Sequence, residues 1–191
     1  VGALDSLATR VWLRPTASWA FQVSHGFLKK PMALMPGNVR RTTASVSWLT
    51  ESDAQFTALT AGYGRSDKDH ADSFSDALFV EATRRFSPHV IYSRFEAVDV
   101  ETGLLLGTTT HMGSGHAEPG TVGAMRDLPQ LRRFELGGGG DLTVHKVPAQ
   151  LATTYGSRPV SFKIFLRLRP PVSSMGRMQN GTMMQPMREH Q

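Results

Sequence analysis

Charged residues set at alternate positions among apolar ones are the first feature of this chain that could do chemistry. They are Arg10, Glu81, Arg85, Arg94, Glu96, Arg133, Glu135, Asp141, Lys163, Arg167 and Arg169. In an extended strand, successive side chains point to opposite faces. These residues would therefore gather on one face and their apolar neighbours on the other. If the charged face lines a barrel, two outcomes are open. The charges form a constriction that filters anionic solutes, or they pair with one another and hold the wall together. Glu81 and Arg94 lie nearly opposite each other across a tight hairpin at 87–88. Such a cross-strand pair contributes roughly 0.2–1 kcal/mol on an open surface.

A second group of candidate ligands is the tail PPVSSMGRMQNGTMMQPMREHQ. It holds Met175, Met178, Met183, Met184, Met187 and His190. Thioethers are soft donors that select Cu(I). Several on one segment could wrap a cuprous ion without a preformed site. The alternative is a tail in which Met is incidental. The segment SDKDHADSFSD carries Asp67, Asp69, His70, Asp72 and Asp76. It opens with the spacing of a calcium loop but lacks Gly at the sixth position and Glu at the twelfth, so it reads as a solvated acidic loop. His111 and His116 in HMGSGH could chelate a metal, but the spacing reads first as an outer loop.

GGGGD at 137–141 is followed by no Lys-Ser/Thr pair and no helix, so it is not a phosphate loop. Glycines in a strand permit bending or close approach. There is no GxSxG, no HExxH and no pair of carboxylates in an obvious cleft, so no enzyme class is indicated. The chain has no Cys, which removes disulfides, zinc-thiolate sites, iron–sulfur clusters and thiol nucleophiles together.

The elements that would position these residues have a period of two. Nine strands are predicted: 5–14, 18–28, 41–49, 55–65, 76–86, 89–100, 120–128, 133–147 and 160–169. No good helical stretch stands out. The connections alternate between short (15–17, 50–54, 87–88, 129–132) and long (29–40, 66–75, 101–119, 148–159). Outer-membrane barrels combine short periplasmic turns with long extracellular loops in this way. The expected fold is therefore all-β: an antiparallel up-and-down meander of about nine strands in an incomplete outer-membrane-type β-barrel. Residues 1–169 make the barrel domain and 170–191 a Met-rich flexible tail. No segment offers the roughly 20 apolar residues of a membrane helix, a test that says nothing of strands.

Each strand has one apolar and one polar face. Leu136, Leu142, Phe162, Ile164, Leu166 and Leu168 alternate with Glu135, Asp141, Lys163 and Arg167. In a barrel the first set meets lipid; in a soluble sandwich it fills the core. The alternation alone fits both. Trp19, Trp48, Tyr63, Phe86 and Tyr155 fall near strand ends, where interface girdles sit, although aromatics also favour strands generally.

The wording of several stretches adds to this. GFLKKPMALMPGNVRRTTASVSW, ALFVEATRRF with VIYSRFEAVDVET, TVGAMRDL with GGGGDLTVHKVP, and SFKIFLRLRPP resemble the C-terminal part of a largely uncharacterised group of proteobacterial outer-membrane β-barrel, porin-like proteins. The resemblance covers most of residues 5–170. It implies a barrel in the bacterial outer membrane and supplies no catalytic residues. The chain departs from that pattern in its last strand, which closes on Arg169 rather than on an aromatic residue and is followed by the tail.

The expected function is that of a non-enzymatic outer-membrane barrel with a structural or passive-transport role. Its partners would be outer-membrane lipid and small solutes. The rivals are a soluble lipocalin-like binding protein and a periplasm-facing Cu(I)-handling component acting through the tail. The net charge is +5, but the basic residues occur only in short pairs, so no nucleic-acid partner is expected. Nine strands is odd where bacterial single-chain barrels are even. The chain also opens Val1-Gly2-Ala3 without an initiator Met. At least one further strand is expected before Val1, with no ladder between 5–14 and 160–169.

Overall fold

The structure, a computed structural model, describes residues 5–31, 37–52, 55–69, 74–102, 114–131 and 134–169. Among these, nine strands form one antiparallel sheet in sequence order. They are β1 (Leu7–Leu13), β2 (Trp19–Leu28), β3 (Val39–Ser52), β4 (Gln55–Lys68), β5 (Phe74–Phe86), β6 (His89–Glu101), β7 (Ser114–Leu131), β8 (Phe134–Lys146) and β9 (Val160–Arg169). Every neighbour in the chain is a neighbour in the sheet. Connections therefore alternate ends, and those after β2, β4, β6 and β8 all fall at one end, as the loop lengths predict. That end is called the long end below. The sheet is not closed: β1 and β9 are its two edges, and no ladder joins them.

β3 and β4 run three residues past their predicted ends, into the predicted turn 50–54 and loop 66–75, and two elements differ more. β7 begins at Ser114, so part of the stretch read as the loop 101–119 is strand. Gly115, Pro119 and Gly120 disguise it, but Val98–Glu101 on one side and Lys146 on the other give it partners. The β6–β7 register is interrupted opposite Glu118 and Pro119, where proline has no N–H to donate. The second difference is a short helix, α1 (Ala149–Tyr155), inside the predicted loop 148–159. It closes at Gly156, whose φ of 81° favours glycine. Tyr155 thus sits in α1 rather than at a strand end. Leu151 of α1 is buried. Pro148, just before it, packs over Gly115 beside Thr102; a Cβ at Gly115 would come within 2.4 Å of the Pro148 ring.

The register assigns every strand residue to one of two faces, because directly paired residues share a face. One face carries Val11, Val23, Val46, Leu59, Leu78, Val80, Phe95, Val122, Leu142 and Ile164 and is the apolar face. The other carries Ser24, Thr43, Thr60, Glu81, Arg94, Thr121, Asp141 and Lys163 and is the polar face.

The apolar face is the exposed one. In β2, Trp19, Phe21, Val23 and Phe27 are exposed, while Ala20, Gln22, Ser24 and Gly26 between them are sheltered. In β9, Phe162, Ile164 and Leu166 are 78%, 82% and 84% exposed. Buried apolar side chains among the described residues reduce to Val39, Met125 and Leu151, too few for a core. On the polar face, side chains reach across an intervening strand: Tyr92 of β6 meets Asp141 of β8, and Arg85 of β5 meets Asp127 of β7. The sheltering and the cross-strand reach mark the polar face as the inner side of a curved sheet.

Candidate functional site

The polar face divides into two zones. From β5 to β9 it is a lattice of paired charges. Asp127 stands at its centre on β7, 22% exposed. Its Oδ2 accepts from Nη2 of Arg85 at 2.9 Å and its Oδ1 from Nη2 of Arg167 at 2.6 Å. Gly137 lies between Asp127 and Arg167 in the register, and its missing side chain lets the two meet over β8. Beside them Arg169 Nε donates to Glu135 across β8 and β9.

A second group follows the row Tyr92–Gly123–Asp141–Lys163. The Asp141 carboxylate, 6% exposed, accepts from Lys163 Nζ at 2.9 Å and from the Tyr92 hydroxyl at 2.8 Å. Gly123 is required here, because a Cβ would fall 2.3 Å from the Tyr92 ring. In a third group, Arg94 bridges Glu81, its register partner, at 3.2 Å and Glu96 at 2.5 Å. Its guanidinium also lies 5.1 Å over the Phe79 ring, which covers Gly62 on the next strand.

From β2 to β4 the middle of the polar face is hydroxyl-rich and uncharged, with Arg41 and Lys68 at the long end and Glu51 at the other. Ser24 bonds Thr43 at 2.7 Å and Ser47 bonds Thr60 at 3.2 Å. Arg10, on β1 opposite Ser24, has no hydrogen bond or ion pair among the described residues. All the alternating charges singled out in the sequence thus share this one face, except Arg133, which lies outside the described residues. Asp127, Tyr92 and Arg41 belong to the same face and were missed. Their parity in strands 120–128 and 89–100, and the position of Arg41 at the predicted start of 41–49, were the available signals.

The apolar face has its own order. At the long end it carries the pairs Arg40–Asp67, Arg65–Asp76, His116–Asp99 and Lys146–Glu118. At the other end it carries Arg84, His89 and Arg126. Between them no described residue of this face is charged. Arg84 lies eight positions after Asp76 in β5, and Arg126 eight after Glu118 in β7. That is about 26 Å of strand, or about 20 Å of height at a 40° tilt. Aromatic side chains flank the band. Trp19 and Trp48, which are direct partners, and Phe86 stand toward the short end, and Phe27, Tyr63 and Phe74 toward the long end.

The other sequence candidates resolve differently. Asp67 and Asp76 lie in strands and are held by arginines, and Asp69 accepts from the Asn38 amide at 2.8 Å. His116 lies in β7, with Nδ1 3.0 Å from Asp99. Among the described residues, no group of three or more His, Asp or Glu could hold a metal ion. His70, Asp72, His111 and the tail ligands Met175, Met178, Met183, Met184, Met187 and His190 lie outside the described residues. The glycines of 137–140 lie inside β8, with no phosphate cradle. Comparison with protein-family models, with curated proteins and with solved structures finds no match.

Proposed function

We propose that this chain forms the wall of an outer-membrane-type β-barrel in a bacterial outer membrane, non-enzymatic, with a structural or passive-transport role. The observation that carries this reading is the sense of the faces: the large apolar side chains of β2 and β9 are exposed, while Asp127, Asp141 and the small polar residues of the other face are sheltered. In water each exposed Leu, Ile, Val or Phe would forgo a share, set by its exposure, of the ~1.5–3 kcal/mol that full burial contributes. Against acyl chains the same side chains are at home, and the lattice of ion pairs faces the interior. The charge-free band is close to the ~25 Å apolar belt of such barrels, and the flanking aromatics fall where interface girdles sit.

A soluble lipocalin-like barrel would need the apolar side chains inside, so the sense of the faces weighs against it. The pairing of the inner charges favours a self-neutralised interior over a strongly ion-selective one. The test is refolding into phospholipid vesicles and, separately, into plain buffer. The expected result is a β-rich protein that floats with the vesicles and aggregates without lipid or detergent. A folded, monodisperse monomer in plain buffer by sedimentation velocity would overturn the reading. Planar-bilayer conductance then separates the passive-transport role from the structural one.

A further inference from the structure

The polar face opens at the long end into a recess of about 560 Å³, within the range of small-ligand sites. Its floor is the register row Thr43–Gly64–Ala77–Val98. The row above is Arg41–Ser66–Ser75. Small side chains at Gly64, Ala77, Ser66 and Ser75 leave the space. Leu28, Pro31 and Val39 give it an apolar rim, and Val98 adds an apolar side chain to the floor.

The charges around it are unequal in what they have left to offer. Lys68 is ion-paired with Glu101. Asp76 and Asp99 stand on the apolar face by register, and Asp76 is bound there by two nitrogens of Arg65 and by the Tyr63 hydroxyl. Asp99 accepts from the Asp76 amide and faces His116. Arg41 donates only its Nε, to the Ser66 hydroxyl at 3.1 Å. Its two terminal amino groups have no other partner among the described residues, and the side chain lines the recess. A guanidinium fork of that kind matches a carboxylate or phosphate in a bidentate pair. The hydroxyls of Thr43, Ser66 and Ser75 stand ready for further bonds, and the rim suits a short hydrocarbon body.

We infer that this recess binds a small amphiphilic anion, with its acidic head on Arg41 and its apolar body against Leu28, Val39 and Val98. This deepens the proposed function by naming a solute class. It rests on that reading only for the route by which the solute arrives.

The experiment is calorimetric titration of the full chain, refolded in neutral detergent, with hexanoate, hexan-1-ol and inorganic phosphate. Hexanoate is expected to bind saturably, and the alcohol and phosphate about tenfold more weakly or worse. Arg41→Gln should weaken hexanoate about tenfold while leaving the far-UV circular dichroism unchanged. Gly64→Leu should fill the floor and abolish binding. Absence of saturable hexanoate binding, or equal binding by Arg41→Gln, would overturn the site. Phosphate binding as tightly as hexanoate would overturn the amphiphile assignment. The refolding test in plain buffer bears on the membrane reading alone, so the two can fail separately.

Discussion

At the residue scale, the inner charges differ in how far they depend on their partners. Asp127 neutralises two arginines from opposite sides and is largely sheltered. Asp127→Ala leaves both guanidiniums uncompensated, and unfolding in urea should show a loss of about 1–3 kcal/mol. Glu81 and Arg94 are far more open, so Glu81→Gln should cost under about 1 kcal/mol. Equal losses for the two variants would mean the lattice is not organised around Asp127. The glycine–aromatic contacts make a second case. A Cβ at Gly62 would stand 2.4 Å from the Phe79 ring, so Gly62→Ala must displace the ring, costing about 1–3 kcal/mol. In a Phe79→Ala background the same change should cost clearly less. A double-mutant cycle with no coupling would refute the contact.

At the element scale, β9 offers the cleanest test of the faces, because it is an edge strand and the chain contains no cysteine. Single cysteines at 161 to 168 can carry a nitroxide label in vesicles. Labels replacing Phe162, Ile164 and Leu166 should be relaxed by lipid-soluble oxygen, and those replacing Ser161, Lys163 and Phe165 by a water-soluble nickel chelate. A pattern without period two, or with the opposite phase, would sink the face assignment. Charge makes the same point energetically. Ile164→Lys should destabilise the vesicle-inserted protein by about 2–4 kcal/mol, while Phe165→Lys, one residue away, should cost little. The strands themselves were readable from alternation alone, and β9 runs over 160–169 as predicted. β7 and α1 were not. Gly115, Pro119 and Gly120 carry no strand signal, and pairing with β6 and β8 supplied what propensity lacked. α1 is a single short element held by the burial of Leu151, too brief to leave a helical period.

At the scale of the whole molecule, β1 and β9 are open edges that run in the same direction. In the proposed membrane setting, unpaired N–H and C=O groups along those edges would be costly. Cysteines replacing the register partners Val122 and Leu142 should cross-link on oxidation, while a pair replacing Val11 and Ile164 should not cross-link within one chain. Efficient cross-linking of the second pair would show β1 and β9 to be neighbours.

What the sequence determined by itself was the period of two, the order of the strands and the membership of each face. Those follow from local geometry: side-chain direction flips at every residue, and short connections force consecutive strands to pair. Glu81 opposite Arg94 was legible on those grounds. Only the tertiary structure decided which face is sheltered, since the same alternation serves a soluble sandwich and a membrane wall. It also decided which charges meet. Arg85 with Asp127 and Tyr92 with Asp141 are contacts between strands two apart, and they depend on the curvature of the sheet and on the spaces left by glycines, neither of which a linear pattern encodes.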